Sequence, residues 1–88
     1  MAKRKTPQVV VYTTRHCTHC KQAIRQLKSW KVGFREMDIE TNHRAYAEFR
    51  RLRARGVPVI AVGGRHLFGF DARRLRQLLE NAGISLSG

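Results

Sequence analysis

Cys17-Thr18-His19-Cys20 places two thiols three positions apart in the 88-residue chain. On a helix that spacing brings both side chains to one face, one turn apart. Two such thiols can pack inertly, hold a metal or exchange a disulfide. Inert packing fits poorly, because Arg15, His16, His19 and Lys21 crowd the pair with polar and basic groups, whereas structural cysteines sit in apolar surroundings. His16, Cys17, His19 and Cys20 are four ligand-type side chains within five residues. Four ligands so close on one turn do not easily surround a tetrahedral ion, and zinc modules draw a second ligand pair from far along the chain. His43 and His66 are isolated. Covalent c-type haem needs a histidine directly after the second cysteine, and Lys21 stands there. No metal site is expected. Disulfide exchange is the favoured reading, with a structural pair and a closed zinc site as its rivals.

Exchange needs a thiolate. A helix N-terminus presents unpaired N–H groups and a partial positive charge, and both favour a thiolate over a thiol. Such settings lower a cysteine pKa from about 8.5 to between about 3.5 and 7.5. Cys17 at the helix mouth is therefore the expected nucleophile, and Cys20, one turn further in, the resolving thiol.

The flanking pattern supplies the elements that hold this pair. Gln8 to Thr13 is β-branched and apolar, which predicts a buried strand. A helix is predicted from Cys17–Cys20 to about Lys31, with Ala23, Leu27 and Trp30 on one face, Ile24 beside them, and Gly33 as its stop. Gly33 to Ile39 is predicted as a second strand. Thr41 or Asn42 caps a second helix bearing Ala45, Phe49 and Leu52, with Gly56 as its stop. Val57 to Val62 and Arg65 to Phe68 are predicted strands joined by a tight Gly63-Gly64 turn. Asp71 caps a third helix with Leu75, Leu78, Leu79 and Ala82 as its apolar stripe, and Gly83 ends it. The order β-α-β-α-β-β-α implies a parallel pair with a right-handed crossover, followed by an antiparallel hairpin. The expected fold is an α/β sandwich with a four-stranded mixed sheet.

Composition narrows the function. Eighty-eight residues make one domain. Residues 1–7 read as a flexible basic lead-in, 8–83 as the domain, and 84–88 as a short tail. No apolar run approaches the roughly 20 residues that span a bilayer. The basic start is followed by no apolar core of a signal peptide. Two cysteines are too few for a disulfide-built secreted scaffold, so a reducing, cytoplasmic setting is expected. The 18 Lys and Arg outnumber the 6 Asp and Glu, for a net charge of +12. That charge attracts acidic partners over a distance.

A second signal is Gly56-Val57-Pro58-Val59-Ile60, a proline at the opening of an apolar strand. Strand, Cys-Thr-His-Cys, helix and then Gly-Val-Pro-Val-Ile, in that order, resemble the glutaredoxin family within the thioredoxin fold. The resemblance runs from about Val9 to Ala82. Val10-Val11-Tyr12-Thr13 before Cys17 is similar to the family's opening. Val57-Pro58 resembles its cis-proline signature, and Gly69-Phe70-Asp71 the element that starts its last helix. The resemblance implies helices on both faces of the sheet. It also implies reduction of protein or small-molecule disulfides, with Cys17 and Cys20 as the catalytic pair. Thr18 and His19 between them belong to the implied substrate-binding set. Val57, at the cis Pro58, would offer its backbone to a bound cysteine as one added strand. Arg15, or Arg53 and Arg55, would hold a glutathione carboxylate. Gly69, Phe70 and Asp71 would meet the γ-glutamyl end.

The sequence also departs from the family pattern. Cys-Thr-His-Cys stands where Cys-Pro-Tyr-Cys is commoner. Phe68-Gly69 and Asp71-Ala72 stand where many glutathione users carry Gly-Gly and paired acidic residues. Gly69-Phe70 is similar instead to the glutaredoxin-like hydrogen donors of ribonucleotide reductase, which thioredoxin reductase recharges. Disulfide-containing proteins are the expected substrates, thioredoxin reductase or glutathione the electron source, and a monomer the expected form. No tightly bound cofactor is expected, with glutathione a candidate co-substrate. Two other functions compete: a basic scaffold binding nucleic acid or an acidic protein, and a glutathione-assisted iron–sulfur carrier. The arginines at 44, 50, 51, 53 and 55 favour the scaffold reading, but no recognised nucleic-acid motif accompanies them.

Overall fold

The computed structural model describes residues 7–86, so the predicted basic lead-in falls, but for Pro7, outside the described residues. Seven elements follow in the predicted order: β1 (Val9–Thr13), α1 (Thr18–Ser29), β2 (Arg35–Asp38), α2 (His43–Arg51), β3 (Val59–Val62), β4 (Arg65–Phe68) and α3 (Ala72–Asn81). The sheet order is β2-β1-β3-β4. β1 runs parallel to β2, with Tyr12 opposite Met37, and antiparallel to β3, with Tyr12 opposite Val59. β3 and β4 form an antiparallel hairpin with Val59 opposite Phe68. This is the thioredoxin-like α/β fold.

The central strands are apolar along their length because both faces of the sheet are covered. Val9 and Val11 point to one face, where Ala23 and Leu27 of α1 and Leu75 and Leu79 of α3 meet them with Ile60 and Val62. Tyr12 points to the other face, where its ring packs on Phe49 of α2 at 6.4 Å and its hydroxyl donates to Glu48 Oε1 at 3.1 Å. Leu27, Ile60, Leu75 and Leu79 are fully buried. Each such side chain contributes about 1.5–3 kcal/mol relative to exposure. No helix among the described residues is long and apolar enough to cross a membrane.

Helix ends depart from the glycine rule at two positions. α1 stops at Ser29, not at Lys31, and Lys31 itself, not Gly33, takes the left-handed conformation at φ 58. The reason is a Schellman closure: Lys31 N–H donates to Lys28 O and Val32 N–H to Leu27 O, each at 3.0 Å. This brings buried Val32 onto Leu27, the apolar contact that accompanies this closure. α2 stops at Arg51, and Arg53, not Gly56, turns left-handed at φ 56. α3 closes at Gly83 as expected, with Ile84 N–H on Leu79 O at 3.0 Å. Ile84 and Leu86 of the predicted tail then pack against the core, and Ser87 and Gly88 lie outside the described residues. β2 is shorter than predicted at both ends, and β3 begins at Val59 and not at Val57. The tight turn needs positive φ only at Gly63, as the first position of a II′ turn does.

Candidate active site

The sheet topology gathers the chemistry at one end. The parallel β1 and β2 both finish there, antiparallel β3 begins there, and β4 finishes there. The connections 14–17, 39–42, 52–58 and 69–71 therefore share that end.

Cys17 is the N-cap of α1, in extended conformation, and its Sγ accepts the Cys20 N–H at 3.1 Å. The sulfur thus occupies the place where a capping oxygen ordinarily satisfies a free helix amide. Lys21 N–H donates to Cys17 O at 3.2 Å and begins the helical bonding. Cys17 and Cys20 are joined as a disulfide, with Cα atoms 5.2 Å apart. Their exposures differ: Cys17 is half-buried and Cys20 is 1% exposed. A bulky disulfide can therefore reach Cys17 but not Cys20. Thr18 and His19 are exposed on the first turn of α1.

Arg15 is exposed, and its N–H donates to Glu40 Oε1 at 3.2 Å. Glu40 N–H in turn donates to Asp38 Oδ1 at 2.8 Å. These bonds fasten the connection before Cys17 to the end of β2. Glu40 has no signal in the sequence, because its role exists only once β1 and β2 are paired.

Val57–Pro58 is cis. Pro58 is buried, and its carbonyl accepts Gly69 N–H at 2.9 Å. Val57 is half-exposed, and neither of its backbone polar groups bonds elsewhere among the described residues. Arg53, Arg55, Val57, Phe68 and Gly69, with Leu52, line one open groove of about 570 Å³. Four of the predicted binding residues therefore meet. Phe68 is 58% exposed at the groove wall. Leu52 was expected only as helix core; it also contributes to the groove, where the chain turns at Arg53.

The other six predicted residues are not in its lining: Arg15, Thr18 and His19 flank the cysteines, Pro58 is buried behind Val57, and Phe70 and Asp71 stand apart. Phe70 packs against the core and lies beside Gln22, Arg25 and Gln26 of α1. Asp71 is the N-cap of α3, with Oδ1 accepting Arg74 N–H at 3.1 Å and Oδ2 4.0 Å from Arg74 Nε. Its carboxylate is thus partly committed to the helix.

Fold and paired cysteines together define a small dithiol domain of the thioredoxin fold. The Glutaredoxin family model matches residues 9–67, and the chain belongs to that family. It is 30% identical, over 73 residues, to an uncharacterised glutaredoxin-like 8.6 kDa protein in the rubredoxin operon of Clostridium pasteurianum, covering 82% of this chain and 97% of that one. Among solved structures it resembles the thioredoxin-like protein BC3987, with a TM-score of 0.76 at 26% identity, over 82% of this chain and all of that one. The glutaredoxin-like NrdH-redoxin of Escherichia coli shares the fold, with a TM-score of 0.74 at 21% identity, over 81% and 93% of the two chains.

Proposed function

We propose that the protein is a dithiol–disulfide oxidoreductase that reduces disulfides in partner proteins. The observation that carries this reading is the unequal pair at the head of α1: an accessible sulfur at the N-cap and a buried one a turn behind. In the reduced form, the Cys17 thiolate attacks one sulfur of a substrate disulfide. A Cys17–substrate bond forms and the other substrate sulfur leaves as a thiolate. Cys20 then loses its proton and attacks Cys17 Sγ. The second substrate thiolate leaves, the two substrate thiolates take up protons, and the Cys17–Cys20 disulfide is formed. Two electrons pass from the pair to the substrate. A reducing compartment such as the cytoplasm suits an enzyme that must be returned to the dithiol form.

A protein reductase is the proposed electron source, ahead of glutathione. Glutathione carries two carboxylates and one ammonium group. Asp71, the acidic residue that the resemblance assigns to the ammonium, already caps α3 with its carboxylate. Ala72 supplies no second carboxylate, and Phe68 narrows the approach. Arg53 and Arg55 favour the glutathione carboxylates, but exposed ion pairs contribute only about 0–1 kcal/mol. An ammonium left without a partner costs more than that. Disulfide reduction coupled in parallel to thioredoxin reductase, and to glutathione with glutathione reductase, tests the donor. Faster turnover with thioredoxin reductase is expected. Faster turnover with glutathione would overturn the donor assignment and leave the Cys17–Cys20 exchange intact.

A further inference from the structure

The six acidic side chains are all engaged inside the chain. Glu36 accepts from Thr13 Oγ1, Asp38 from Glu40 N–H, Glu40 from Arg15 N–H, and Glu48 from the Tyr12 hydroxyl. Asp71 and Glu80 pair with Arg74 and Arg76 on α3. The last two are the only arginines in ion pairs among the described residues. Arg50 and Arg51 at the end of α2 and Arg53 and Arg55 in the connection after it are exposed and have no acidic partner among the described residues. They are also contiguous in space. Arg50, Arg51 and Arg53 line a shallow depression of about 580 Å³, and Arg53 and Arg55 line the groove that contains Val57. Arg53 belongs to both, so an unneutralised basic track leads into the groove at the cysteine end of the sheet.

We propose that this track is the docking site for an acidic polypeptide segment of the partner protein whose disulfide is reduced. The proposal rests on the oxidoreductase reading and adds a substrate class to it. Charge complementarity sets the sign of the occupant: the track presents four guanidinium groups, and carboxylates satisfy them. The groove sets its class. Beside Arg53 and Arg55 its lining is aliphatic side chain and backbone, with Phe68 the one aromatic residue, so it provides an apolar slot for a side chain next to the two guanidinium groups and no row of rings for stacking bases. The free backbone groups of Val57 suit an extended peptide. A segment with acidic residues on one side of its disulfide would place them along Arg50 to Arg55 as the disulfide approaches Cys17.

The test compares two synthetic disulfide peptides of equal length, one flanked by glutamates and one by glutamines, at low salt. Wild-type protein is set beside R50Q/R51Q and beside R25Q/K28Q, which removes the same charge from exposed positions of α1 on the opposite face of the sheet. Wild type should reduce the acidic peptide with a kcat/KM about 3–10-fold above that of the neutral one, the range expected of a few exposed ion pairs. R50Q/R51Q should lose most of that preference and keep its rate on the neutral peptide. R25Q/K28Q should retain the preference. Equal loss in both variants would mean that net charge alone attracts the peptide, which overturns the site. Absence of any preference in wild type overturns it as well. Failure to reduce either peptide would refute the oxidoreductase reading instead. In that event, titration of the oxidised protein with a disulfide-free acidic peptide still reads the site: binding weakened by R50Q/R51Q and not by R25Q/K28Q supports it, and any other result overturns it. Random duplex DNA serves as competitor. Displacement of the acidic peptide at lower charge-equivalent concentration than a polyglutamate competitor needs would overturn the polypeptide assignment in favour of nucleic acid.

Discussion

Tyr12 shows how one residue couples the site's strand to the helix behind it. Its ring is 7% exposed, and its hydroxyl donates to Glu48 on α2. Burial raises the phenol above its ordinary value of 10.0, and the hydrogen bond to the Glu48 carboxylate and that group's negative charge raise it further. A raised pKa in the folded state means that the neutral phenol contributes stability in full below about pH 10. That contribution is lost as pH rises through the folded value. Chemical denaturation at a series of alkaline pH values should therefore show a steeper loss of stability in wild type than in Tyr12→Phe. Parallel curves for the two proteins would remove Tyr12 from that linkage. The sequence shows Tyr12 as part of an apolar run and gives no hint of Glu48, because 36 residues separate the two.

At the scale of elements, the periodic signals were legible and the chain reversals were only partly so. The stripe Leu75, Leu78, Leu79 and Ala82 predicted α3, and the structure sets Leu75 and Leu79 fully inside. The Cys17 position at the helix mouth followed from its place between the β-branched apolar run of β1 and the one-sided apolar stripe of α1. The stops of α1 and α2 did not follow, because Gly33 and Gly56 lay nearby and offered the ordinary reading. Tertiary packing decided instead: Val32 is buried on Leu27 only if the chain turns at Lys31. An L-residue in that conformation costs about 1–2 kcal/mol, offset in part by a cation at the helix C-terminus and by the extra chain entropy of a glycine. Lys31→Gly should thus raise stability by up to about 1 kcal/mol, measured by urea denaturation, without changing disulfide reduction. A loss of stability would show that the lysine charge outweighs the backbone effect. The groove was legible only in pieces. Arg53, Arg55, Val57 and Gly69 came from the resemblance to glutaredoxins, whereas the part played by Leu52 required the turn at Arg53.

For the whole molecule, the dominant fact is 18 basic groups against 6 acidic ones. With the acidic groups already engaged, the remaining cations repel one another across a domain whose Cα radius of gyration is 12.7 Å. The Debye length is about 10 Å at 0.1 M salt and about 3 Å at 1 M. A non-binding salt should therefore raise the thermal midpoint of the oxidised protein as its concentration increases over this range. A falling midpoint would mean that attractive pairs, and not repulsion, dominate the charge balance. The net charge could be read from composition alone. Where it concentrates could not, because the basic track depends on which acidic residues the fold has already taken up.

The division of labour between the two thiols is most directly tested by trapping. Cys17→Ser and Cys20→Ser, each reduced and then mixed with a disulfide peptide, are followed by mass spectrometry without added reductant. Cys20→Ser should accumulate a stable mixed disulfide located at Cys17, and Cys17→Ser should remain unmodified over the same interval. Accumulation of the peptide on Cys20 in the Cys17→Ser protein, with none on Cys17 in the other, would contradict the assignment of Cys17 as the nucleophile.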